Sequence, residues 1–171
     1  MRVGRIGLAI LAALVAQTTI AWLLGSARAN VDLPLVVVVL AGLDGGPLTG
    51  FLTGAIAGCG QDWLSGGIVG VSGVSKSLVG LATGMVATYV YTTGILFQGL
   101  AIAVATVVHI WAFVALYALM PQAGPSGSWD VVLMQTLANA AVGLAVLAVV
   151  RYGPWPPDAE EMQRRTRQSA S

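Results

Sequence analysis

An uncharged apolar run long enough to cross a bilayer constrains a fold more than any other sequence feature, and this chain has several. The first extends from Ile6 to Leu24, between Arg2 and Arg5 on one side and Arg28 on the other. Its roughly nineteen residues, rising about 1.5 Å each, cover a hydrocarbon core of about 30 Å. Inside lipid a backbone must bond to itself, so the spanning forms are the helix and the closed barrel. The runs lack the alternation of barrel strands, and the expected fold is all-α. Composition agrees. Charged residues make up 9% and hydrophobic residues 57%, against roughly a quarter charged in a soluble domain, and mean hydropathy is +0.84. In water such a chain would expose large apolar patches. It reads as a polytopic membrane protein. The net charge of +1 offers no electrostatic footprint for nucleic acid. The single cysteine, Cys59, excludes an internal disulfide and a cysteine metal cluster.

About six transmembrane helices are expected, over 6–24, 33–43, 48–64, 68–91, 95–120 and 131–150, in one domain covering 1–151. Residues 152–171 are polar, proline-rich and basic, and read as a disordered cytoplasmic tail. Six crossings put both termini on one side. Arg2, Arg5, Arg151, Arg164, Arg165 and Arg167 lie in the terminal segments, so that side is cytoplasmic by the positive-inside bias. Arg28, in the first outer loop, runs against the bias. A secretory signal ending near Ala27 and Ala29 is the competing parse, but a signal's apolar core of about 7–15 residues is shorter than this run. The second and third segments are short and joined by DGGP, with Asp44 at the turn. A short pair of this kind is either a compact hairpin or a re-entrant excursion, and both require burial inside protein.

Glycine recurs every four residues through Gly46, Gly50, Gly54 and Gly58, drifting by about 40° per step on a helix of 3.6 residues per turn. The next segment places Gly66, Gly70, Gly73, Ser77, Gly80 and Gly84 alternately four and three apart. Between helices in lipid, close approach through small residues supplies the dispersion contact that drives association. The two glycine faces are expected to pack on each other.

Asp62 and Lys76 are the candidates for charge at bilayer depth, where an unpaired charge costs about 2.5–3.5 kcal/mol. Two readings stay open: a buried Asp62–Lys76 pair across the hairpin, or Asp62 at the headgroup level beside Trp63. Gln135, Asn139 and Gly143 share one face of the sixth helix, and Gln17, Thr18 and Thr19 lie mid-span on the first. These are read as interhelical hydrogen-bonding groups, worth on average about 0.6 kcal/mol each. His109 stands alone on its helix and reads as a core histidine bonded to a neighbour rather than a metal ligand. Catalysis is the remote reading. GVSG at Gly70–Gly73 has the G-x-S-G form of rhomboid proteases, with Ser72 as nucleophile and His109 as base. The sequence lacks the rhomboid Trp-Arg loop element and His-x-x-x-Asn. A Ser72–Lys76 pair lacks a large periplasmic domain to hold substrate, and neither a phosphate loop nor another hydrolase motif occurs.

Residues 30–90 resemble the rod shape-determining protein MreD family. The resemblance rests on Pro34 before a short apolar segment, the Gly50-Phe51-Leu52-Thr53-Gly54 stretch, Asp62-Trp63-Leu64, and the glycine-rich run from Gly67 to Gly84. The family commonly has leucine directly after the acidic residue; here Trp63 stands there. The resemblance implies a non-enzymatic, cofactor-free scaffold of the bacterial inner membrane. It would bind MreC, a single-span protein, and through MreC the MreB filaments, RodA and a class B penicillin-binding protein. The family is also similar in fold to the substrate-binding subunits of energy-coupling-factor vitamin transporters. That supplies the alternative function, a small-molecule-binding membrane subunit. Such a site wants converging aromatic and polar groups, and the outer loops offer few beyond Trp63, Trp129 and Asp130.

Overall fold

The computed structural model describes residues 3–24, 31–90, 94–120 and 128–152. Arg2, Ala27, Arg28, Ala29, most of the outer loop at 121–127 and the tail from 153 onward, with Arg164, Arg165 and Arg167, lie outside the described residues. Six helices follow one another: α1 Val3–Leu24, α2 Leu33–Gly45, α3 Pro47–Ser65, α4 Val71–Tyr89, α5 Ile95–Ala118 and α6 Trp129–Tyr152. The described residues contain no strand. Three of the helices, α1, α5 and α6, are long and apolar enough to cross a membrane. The 13-residue α2 is apolar but shorter, about 20 Å at 1.5 Å per residue.

Local chemistry fixes the breaks. Asp32 caps α2, its carboxylate accepting from the Leu35 amide at 3.0 Å, with Pro34 in the first turn. Gly46, at φ +82°, turns the chain between α2 and α3, and Pro47 starts α3. Gly66 ends α3 in the left-handed region, and Gly70, at φ +105°, precedes α4. At such φ values a side chain is strained. Gly46 and Gly70 are therefore turn residues, and a Cβ at either would meet nothing within 4 Å; this corrects the expected place of Gly70 in the packing face, while Gly46 still offers its backbone to Gly84 of α4.

The remaining glycines do the packing. On α3 a Cβ at Gly50 would overlap the Gly80 carbonyl of α4, at Gly54 the Lys76 carbonyl, and at Gly58 the Ser72–Gly73 peptide. From α4, Gly80 meets the Gly50 backbone, Gly84 the Gly46–Pro47 backbone and Gly73 the Cys59 sulfur. The Ser77 hydroxyl, also buried in this contact, donates to the Gly73 carbonyl at 2.7 Å. The two helices thus approach backbone to backbone from end to end. In front of them α2, apolar all round, touches each of the other five helices. Its Leu35, Val36, Val39 and Leu43 pack with Val79, Ile102 and Ala105, and its Val38 and Ala41 with Ile6, Ile10 and Ala57. The outer surface is apolar too. Leu96, Leu100, Val104 and Val108 form an exposed ridge along α5, and Leu52 and Ile56 point outward from α3. An apolar exterior around an apolar core fits a membrane protein.

Candidate functional site

The polar side chains gather where α2 begins. Asp32, 3% exposed, accepts from the fully buried Lys76 ammonium of α4 at 2.6 Å. His109 of α5 joins the pair, its Nε2 lying 3.2 Å from Lys76 Nζ and 3.3 Å from Asp32 Oδ2. Its Nδ1 lies 3.1 Å from the Ser75 hydroxyl. From α6, Asn139 Oδ1 accepts from the Asp32 amide at 2.8 Å, while its Nδ2 donates to Thr106 Oγ1 at 3.1 Å. From α1, Gln17 donates to the Val31 carbonyl at 2.7 Å and accepts from the Leu33 amide at 3.0 Å. One cluster thus ties α1, α2, α4, α5 and α6 together around Asp32.

The ion pair within it has a strong energetic reason. A charge in a low-dielectric interior needs a partner and saturated hydrogen bonds. Asp32 Oδ1 takes the α2 amide and Oδ2 takes the ammonium, so the carboxylate serves as helix cap and counter-ion together. Removing one member of such a pair costs about 3–5 kcal/mol. Among the described residues, the buried side-chain atoms left without a hydrogen-bond partner are Gln61 Oε1 and Thr136 Oγ1, and neither belongs to the cluster.

Asp62 does not pair with Lys76. Its Oδ2 accepts from the Gly70 amide at 2.8 Å and the Ser72 amide at 3.0 Å. Gly70 has no side chain with which to cap α4, and Asp62 reaches over from the end of α3 to do so, placing a negative group at a helix N-terminus. It is buried, while the adjacent Trp63 is exposed. Asp44 lies exposed near the end of α2. Gln135 is half-buried one turn before Asn139, and Gly143, one turn after it, faces Ile102. Thr18 and Thr19 bond back to carbonyls of their own helix, so Gln17 alone of that trio reaches beyond α1.

The histidine's hydroxyl partner is Ser75, not Ser72. Ser75, His109 and Asp32 stand in the order of a nucleophile, a base and an orienting acid, but Lys76 occupies the same histidine nitrogen and carboxylate oxygen. Ser75 is fully buried, its hydroxyl within 3.2 Å of the Ser72 carbonyl, so no substrate could reach it without opening the bundle. No group of three or more His, Cys, Asp and Glu side chains among the described residues is placed to hold a metal.

Two grooves run along α4. One, of about 270 Å³, opens against α3 beside Phe51, Ala55, Val74 and Leu78. The other, of about 260 Å³, lies between α4 and α5, lined by Leu43, Val79, Val86, Phe97, Ala101 and Val104 among others. Both are almost wholly apolar, and no member of the polar cluster faces either. Comparison with protein-family models, curated proteins and solved structures finds no match to this chain.

Asp32, Ser75 and Thr106 are the cluster members that sequence reasoning passed over. Asp32 reads as a loop residue, because an aspartate two positions before a proline at a helix start is normally a solvated cap. Its signal was the run that follows, LPLVVVVLAGL. A cap on a helix apolar all round is buried along with the helix.

Proposed function

We propose that the chain is a non-catalytic integral-membrane scaffold of the bacterial cytoplasmic membrane, acting as MreD-type proteins do in cell elongation. The observation that supports it is that the polar cluster around Asp32 is satisfied from within. The buried polar cluster spends its donors and acceptors on itself, while the outer surface and both grooves offer apolar side chains. A binding subunit for a polar solute needs convergent polar groups facing a cavity, whereas a scaffold needs a rigid interior and an apolar face for another membrane helix.

In this reading all six helices cross the bilayer, α2 and α3 forming a short pair held within protein, and both termini are cytoplasmic. The fold is then of the kind found in energy-coupling-factor substrate-binding subunits. The partner is the single span of MreC, and MreB, RodA and a class B penicillin-binding protein are reached through it. Mass spectrometry of what co-purifies with the tagged protein from its own membranes tests this. Recovery of MreC with elongation enzymes is the expected result. Recovery of paired ATPases with a coupling subunit would replace the scaffold with a vitamin transporter's binding subunit.

A further inference from the structure

Side-chain hydrogen bonds of the buried cluster join α5–α6 to the rest of the bundle: His109 bonds to α4 and lies beside Asp32, and Asn139 bonds to the start of α2; outside it, the Tyr117 hydroxyl of α5 accepts from the Ile68 amide at 3.4 Å. The Ser75 hydroxyl lies 3.2 Å from the Ser72 carbonyl and 3.1 Å from His109 Nδ1, and its one hydrogen can serve either. Correspondingly, His109 Nε2 either accepts from the Lys76 ammonium at 3.2 Å or donates to Asp32 Oδ2 at 3.3 Å. In both tautomers the closed cluster holds one carboxylate, one ammonium and one neutral imidazole.

A proton added to His109 leaves two cations on one buried carboxylate. The groups facing His109 offer no second counter-ion. Asp32 of α2 is already paired, Lys76 and Ser75 of α4 are a cation and a hydroxyl, and Asp62 of α3 is tied to the α4 amides. From α6 comes the amide of Asn139, and on α5 itself the neighbouring ring is Phe113, at 5.9 Å. The seam beside the cluster is the place that can yield. Val79, three residues after Lys76, and Val108, next to His109, line the groove between α4 and α5, where side chains rather than backbones meet.

We propose that Asp32, Lys76 and His109 form a one-cation latch on the α4–α5 seam, closed while His109 is neutral and opened when it takes up a proton. This goes beyond the scaffold reading and stands without it. His109 is the chain's one histidine, so ¹⁵N-histidine NMR of the full chain in nanodiscs reports it alone. Spin labels at Leu78 and Leu96, both exposed, in a Cys59→Ser background, measure the distance across the seam. Near neutral pH the expected signals are one pyrrole-type and one pyridine-type nitrogen, the pattern of a neutral imidazole. On acidification, imidazolium formation and a longer label distance share one midpoint, and in His109→Gln the distance stays fixed. A histidine neutral over the whole folded range, or imidazolium formation without a change in distance, would each overturn the latch. So would an unaltered distance change in His109→Gln. The two wild-type readouts decide the matter even where that variant does not fold.

Discussion

The α3–α4 and α5–α6 contacts both use glycine, and use it differently. Along α3–α4 a Cβ at Gly50, Gly54, Gly58, Gly80 or Gly84 would run into main-chain atoms of the facing hairpin. On α5–α6, a Cβ at Gly99 would meet the end of Leu144, and at Gly143 the end of Ile102. Helical main chain cannot rotate aside, whereas a side-chain terminus can be pushed about 30° off its rotamer for about 0.5–1.5 kcal/mol. The first contact is fixed and the second adjustable. Between these pairs, apolar packing of Ile102 and Ala105 on α2 and Val79, together with a few charged and polar side chains, holds α5 and α6 against α2 and α4. The arrangement is a rigid hairpin platform with a second pair attached through side chains, and that division of labour can be tested helix by helix.

The largest effect is expected from Gly54→Leu, whose side chain has only the Lys76–Ser77 backbone to enter. Folded protein should be lost from size-exclusion chromatography in detergent. Gly54→Leu protein recovered folded at the wild-type level would contradict the close approach. Gly54→Ala should cost about 3 kcal/mol, the upper part of the usual range for overpacking, read by reversible unfolding in mixed micelles. Asp62→Ala strips the cap from α4 and should cost about 2 kcal/mol. Exchanging the charges of Asp62 and Lys76 should rescue neither single change, since the two do not touch. Gly143→Ala should stay within about 1 kcal/mol of wild type, the shifted Ile102 being offset by alanine's helix preference. A loss there as large as for Gly54→Ala would erase the distinction between the two contacts. Gly7→Ala, with nothing within 4 Å, should be neutral or stabilising by up to about 1 kcal/mol.

The helices were readable in the sequence because hydropathy and glycine or proline punctuation act locally. The expected 33–43 and 48–64 segments became Leu33–Gly45 and Pro47–Ser65, and the 68–91 segment shortened to Val71–Tyr89 once Gly70 took its left-handed turn. The glycine ladder was equally plain, since a four-residue spacing fixes a helix face without knowledge of the partner. Gly46 and Gly70 match that spacing but belong to turns, because spacing carries no information about φ. The charge pairing was not readable. Lys76 and Asp62 are close in sequence, which favours them as a guess, yet the counter-ion came from Asp32, 44 residues away. That choice depends on α2 lying across the front of α4, a tertiary fact with no local signature. His109 and Asn139 stood out as polar residues in apolar helices, but that both converge on one residue follows from the same placement of α2.

The central claim, that Asp32 and Lys76 anchor the polar interior, is tested most directly by a double-mutant cycle. The four proteins are wild type, Asp32→Asn, Lys76→Met and the double variant, each unfolded reversibly in the same micelles. The account predicts a loss of about 3–5 kcal/mol for each single change, because each strands a buried charge. The double variant, which strands none, should then be more stable than either single one. Losses that add to within about 0.5 kcal/mol would mean that the two residues do not act as a pair.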